Sequence, residues 1–260
     1  MADLRNDRTR AYQTALKQTR EAVRQQLEQH YRAMPSLRDD EAKGFVEHAV
    51  RIVQAGQTRA VALTAAHMSE RVGMTRPVSL NTQVLIADIR KGIAAEDVYM
   101  RPIISARAAI ERDGFAAAFE KGLARLLSTG DMDVAMSARD ASVAFGADDS
   151  TGTIGWVRVA EPSCCDFCQE IDGARIYVED PAPLHNNCGC TVDPITRDNN
   201  TQPSGFRERE PDWVTIDDGA KFGDVEIRQH GEMGPLITDK NDNFTSVADL
   251  PDSYQEQVDG

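Results

Sequence analysis

The stretch "AYQTALKQTREAVRQQLEQHYR", Ala11 to Arg32, decides the fold class. Tyr12, Leu16, Thr19, Val23, Leu27 and Tyr31 recur at spacings of three and four, which puts them on one stripe of an α-helix. Pro35 in "MPSLRDD" ends that helix, and Ser36 or Asp39 is placed to cap the next. The same period continues through Phe45, Val46, Ala49, Val50 and Val53, with a break expected at Gly56. Asn81 is positioned to cap a helix in "TQVLIADIRKGIAAED". Further helices are expected at about 96–112 and 114–129, the second carrying Phe115, Phe119, Leu123 and Leu126 on one face. Pro102 is expected to start or kink its helix. "STGD", Ser128 to Asp131, reads as a stop and a new cap before a last helix in "MDVAMSARDASVAFG". Sparse aromatics and many alanines favour close helix packing over a cofactor pocket.

The pattern changes at Gly152. "TIGWVRVAEP" alternates as a strand does, with Ile154, Trp156 or Val157, and Val159 as candidates for burial. All five cysteines then fall in two short pieces, "EPSCCDFCQEIDG" and "LHNNCGC". Cys165 and Cys168 are separated by two residues, so one tight turn aims both sulfurs at a single point. Asp172-Gly173 is the strongest hairpin signal in the chain, and the Pro181/Pro183 loop beyond it delivers His185 and Cys188. Cys165, Cys168, His185 and Cys188 make a three-sulfur, one-nitrogen set suited to tetrahedral zinc; Cys190 competes with Cys188 or His185 for a place, and Cys164 is the spare. Four protein ligands leave no position for a reactive water, so the zinc would be structural. A segment this short buries too little apolar surface to hold itself together, and metal binding supplies the missing free energy. A redox CxxC would be expected to open a helix within a βαβ unit, and no such unit is evident.

Three segments result: a helical domain over 1–150, a small zinc-stapled β-hairpin module over 151–197, and an acidic, partly strand-like extension over 198–260. The net charge of -13 is unevenly spread. Residues 1–38 carry eight basic and four acidic residues, a local balance of +4, whereas residues 198–260 carry fifteen acidic and five basic ones, a balance of -10. Nucleic-acid coating needs a basic face, and between Cys165 and Cys190 only Arg175 is basic. The N-terminus has no apolar core of a secretory signal and no run is long enough to span a membrane, so synthesis in a reducing cytoplasm is expected. His30, His48 and His67 lie in helical stretches with no Cys or His at ligand spacing and read as ordinary helix residues. The extension has His230 alone and no Gly-x-Ser-x-Gly elbow, so no catalytic constellation is seen and the chain is not read as an enzyme. "WVTI" and "VEIR" within it read as short strands.

The stretch "CDFCQEIDGARIYVEDPAPLHNNCGC" resembles the C-terminal motif of the Mu F-like phage minor head proteins, the phage head morphogenesis family. In those proteins a CxxC, an Asp-Gly and a Pro-x-His-x-x-Cys-x-Cys close a small domain behind a long helical region. The matching positions are Cys165, Cys168, Asp172, Gly173, Pro183, His185, Cys188, Cys190 and the trailing Pro194. Such proteins commonly carry Arg between the last two cysteines, where this chain has Gly189. The resemblance implies a minor capsid protein of the virion, inside the head and near the portal. Its partners would be the portal protein and/or the major capsid protein, with packaged DNA nearby and no sequence-specific contact to it. Its role would lie in head morphogenesis and in DNA packaging or ejection. Two other classes remain as alternatives: a zinc-ribbon nucleic-acid binder, which the charge opposes, and a hydrolase or toxin, for which no residues present themselves.

Overall fold

The computed structural model describes residues 2–88, 90, 92–162, 164, 166–170, 172–176, 189–196, 226–230, 234–238 and 244–246. It is mainly helical. The predicted stripe is the inner face of α1 (Ala2–Arg32), and all six of its members are buried. There follow α2 (Asp39–Arg71), α3 (Thr82–Asp88), α4 (Ala95–Asp113) and α5 (Phe115–Gly146). Asn81 caps α3 as its position predicts, its Oδ1 accepting from the Val84 N–H at 3.3 Å. Ser36 acts differently from a cap. Its Oγ accepts from the Arg38 N–H and bonds the Glu41 carboxylate, and α2 opens behind Arg38 with Asp39, Asp40 and Glu41 facing the positive end of the helix dipole.

Two expected breaks do not occur: α2 runs through Gly56 and α5 through Ser128–Asp131. The reason is close approach. A Cβ on Gly56 would collide with Val23 of α1 and come within 3.1 Å of Val134 Cγ2 of α5, and one on Gly130 would lie 2.5 Å from Leu27 Cδ1. Glycine costs a helix interior about 1 kcal/mol relative to alanine, and here the contact of three helices offsets that cost. Asp131 caps nothing: it is buried and takes a bidentate bond from Arg20, whose Nε donates to Oδ1 at 2.9 Å. Arg20 therefore points inward. Pro102 is buried inside α4. Leu27, Tyr31, Val53, Ile103, Leu126 and Val134 form the centre of the bundle, with Phe45 edge-on to Tyr31 at 5.5 Å.

Beyond α5 come β1 (Thr153–Val159), α6 (Asp166–Glu170), β2 (Arg175–Ile176) and β3 (Thr191–Thr196). The module expected as a hairpin is a three-stranded antiparallel sheet in the order β2-β1-β3. β3 is an edge, which is why Pro194, opposite Trp156, is tolerated. β1 does not alternate: every residue from Gly155 to Val159 is buried, while Ile154 is 38% exposed. Trp156 and Val192 enter a second core with Met68 of α2 and Phe145 of α5, so the sheet lies against the ends of both helices. In the acidic extension β4 (Glu226–His230), β5 (Gly234–Thr238) and β6 (Phe244–Ser246) form an antiparallel meander. β4 coincides with most of the predicted "VEIR" strand; "WVTI" lies outside the described residues. Among the described residues no helix is long and apolar enough to cross a membrane.

Candidate metal centre and its seat on the helices

Sulfur from the two cysteine-bearing pieces meets at the end of β1. Cys168, on α6, and Cys190, at the entrance to β3, are buried against Ala160, with Cys164 half-buried beside them. The backbone N–H of Glu161 donates to Cys190 Sγ at 3.5 Å, a contact that favours sulfur bearing negative charge. The Cys164 N–H donates to the Glu161 carbonyl at 3.0 Å, and Gln169 Nε2 to the Cys164 carbonyl at 3.0 Å. Asp172-Gly173 does return the chain, but behind α6 and not as a two-residue hairpin. Asp172 Oδ1 accepts from the Ala160 N–H at 2.7 Å, and Gly173, at φ +79°, donates its N–H to the Arg158 carbonyl at 2.8 Å. That sets β2 beside β1.

Of the five candidate ligands, Cys168 and Cys190 are brought together, whereas Cys165, His185 and Cys188 lie outside the described residues. Among the described residues no group of three or more His, Cys, Asp or Glu side chains is arranged to hold a metal. The described pair fits zinc in its donor chemistry: two buried sulfurs from segments far apart in sequence, one with a backbone N–H directed at it. α6 joins antiparallel strands, so the topology is not that of a redox CxxC in a βαβ unit. Gly189 has a local cause. A Cβ there would overlap the Glu161 carboxylate, which also takes the Lys17 ammonium at 2.6 Å.

Side chains of α1 and α2 hold this region in place. Gln13 Nε2 donates to the Val159 carbonyl at 3.0 Å and to Thr191 Oγ1 at 3.2 Å, tying the end of β1 to the start of β3. Arg10 donates to the Ala160 carbonyl at 3.3 Å. Three residues beyond Cys190, the carboxylate of Asp193 is 3% exposed and receives Thr9 Oγ1 at 3.0 Å, Arg71 at 2.7 Å and His67 Nε2 at 2.8 Å. Burial alone would raise the Asp193 carboxyl; the His67 bond, the Arg71 charge and the Thr9 hydroxyl outweigh it and hold the group below the ordinary aspartate value. Tyr12 stacks on His67 at 4.4 Å and shares a 2.7 Å bond with Thr64; burial pushes its phenol up, and that bond offsets part of the rise. His67 is thus no ordinary helix residue. Its one sequence signal is Arg71 at i+4, on the same side of α2.

A second polar cluster lies away from the cysteines. Asp133 of α5 accepts from Tyr99 at 2.7 Å and pairs with Arg90, at the bottom of a cavity of about 650 Å³ between α2, α3 and α4. Burial raises the Asp133 carboxyl, the Tyr99 and Arg90 bonds offsetting part of it, and burial with the nearby carboxylate raises the Tyr99 phenol further. The described residues that line this cavity also include Gln57, Thr58 and Glu96.

A long helical bundle with a cysteine-bearing sheet sewn to its first two helices defines the class of the molecule. Residues 3–212 match the sequence profile of the family described as VG15 protein, and the chain belongs to that family, a family of viral and phage proteins. No curated protein and no solved structure matches it significantly.

Proposed function

We propose that the chain is a minor head protein of a phage virion, associated with the portal, in which a structural zinc ion closes the module that follows β1. Membership of a family of viral and phage proteins is the observation that carries this reading: the matched region takes in the helices and the cysteine-bearing stretch and ends inside the acidic extension. The finer relation to the Mu F-like minor head proteins rests on the motif from Cys165 to Cys190. Cys165, Cys168, His185, Cys188 and Cys190 are the residues from which four ligands are drawn, and bound zinc supplies cross-linking free energy and no reaction. The helical region contacts the portal or the major capsid protein. No reaction is assigned to the Asp133 cavity.

The test is co-expression of the full chain with the portal and major capsid proteins of the same phage, followed by purification of particles and mass spectrometry of their contents. The chain is expected in low copy in particles that contain portal and to be missing from portal-less ones. Its absence from portal-containing particles overturns the reading, as does tight, salt-sensitive binding of the isolated chain to DNA.

A further inference from the structure

We infer that α1 is the outer support of the metal centre, with Gln13 and Lys17 acting as positioning residues for Cys190; this rests on the zinc reading above. Cys190 is held on two sides by described residues. On one side is Glu161, whose N–H reaches the sulfur and whose carboxylate fills the space beside Gly189 and is held by Lys17. On the other is Thr191, the next residue in the chain, whose hydroxyl accepts from Gln13. Gln13 also holds the Val159 carbonyl and Arg10 the Ala160 carbonyl, so the segment from Val159 to Glu161 and the start of β3 take their spacing from one face of α1. That spacing sets where Cys190 stands relative to Cys168.

Groups that orient metal ligands through hydrogen bonds change metal affinity about 10- to 100-fold when removed. Linkage makes the effect reciprocal: if α1 tightens metal binding, bound metal tightens the docking of α1 by the same factor. The contacts involved lie between residues 10 and 17 of α1 and none reaches α4, so α4 serves as an internal reference.

The experiment uses the full chain loaded with zinc. Zinc retention is measured by competition with a metallochromic chelator for wild type, Gln13→Leu, Lys17→Met and, as a distant control, Arg125→Ala on the α5 surface. Amide hydrogen exchange is followed in α1 and α4 with and without chelator. Gln13→Leu is expected to lose zinc at about tenfold lower chelator concentration, Lys17→Met at a few-fold lower concentration, and Arg125→Ala at the wild-type concentration. Stripping the zinc is expected to speed exchange around residues 9–20 while residues 98–109 keep theirs. The Lys17 side chain is 66% exposed, so Lys17→Met keeps the test decisive if Gln13→Leu fails to fold. Zinc retention unchanged in both variants, or α1 exchange indifferent to zinc, overturns the inference alone. A wild-type chain that binds no zinc overturns the metal reading itself.

Discussion

Asp193→Asn removes one negative charge from a site that is 3% exposed and faces three donors. A hydrogen bond to a charged group contributes about 1.5–3 kcal/mol. The larger effect is on Arg71, whose side chain is only 16% exposed and is left without its counter-charge. Breaking a buried pair from one side costs about 3–5 kcal/mol, a large part of the about 5–15 kcal/mol that holds a typical domain folded. The contributions share partners and do not add, so about 3–5 kcal/mol is the expected total. Urea unfolding at neutral pH, followed by far-UV circular dichroism, measures it. The pH dependence supplies an independent sign. The folded carboxyl titrates below its ordinary value near 3.8, so its stabilisation is complete above that value and disappears as pH falls through the lower, folded one. Wild type and variant should therefore differ most at neutral pH and converge in strong acid. A loss under about 1 kcal/mol at neutral pH, well short of the cost of an unpaired buried charge, or a difference that grows as the pH is lowered, refutes the account of the clasp.

Three further outcomes are expected. Cys168→Ser should abolish stoichiometric zinc while leaving most helicity in place; metal content equal to wild type by elemental analysis removes Cys168 from the ligand set. Gly130→Val should lower stability by about 1–3 kcal/mol, because its side chain enters the space of Leu27 and Val53, and a raised Tm would show that the helices do not meet there as described. Asp133→Asn should cost less than Asp193→Asn, within about 1 kcal/mol at neutral pH, because Arg90 is 31% exposed and regains water and the new amide still accepts from Tyr99. The raised Asp133 carboxyl means that wild-type stability falls as pH rises from near 3.8 through the folded value, a decline the variant should lack. A loss as large as that of Asp193→Asn sinks this contrast.

The helices were legible because their burial is periodic: from Tyr12 to Tyr31 every member of the stripe is buried, and the pattern missed Gln13 and Arg20, polar residues buried beside it through the partners they bind. Gly56 and Gly130 misled for a physical reason. A glycine that ends a helix and one that lets two helices touch are the same letter, and only the opposing Val23 or Leu27 tells them apart. The approach of Cys168 to Cys190 was readable from spacing, since both pieces concentrate sulfur near a turn. The Asp193 clasp was not, because its partners stand 126 and 184 positions away at His67 and Thr9, and no local pattern encodes that distance. The alternation of β1 failed as a guide because both of its faces are covered.

The bond from Thr9 to Asp193 also sets an order of events on the ribosome. At about 5–20 residues per second, the first helix waits roughly 10–40 s, by the same elongation rate, for its partner 184 positions downstream to be synthesised. Throughout that interval the nascent helices can gather their apolar stripe, but the polar side that receives β3 has only solvent or a chaperone to satisfy it. A chain halted before Asp193 therefore emerges with its bundle assembled and its docking face open.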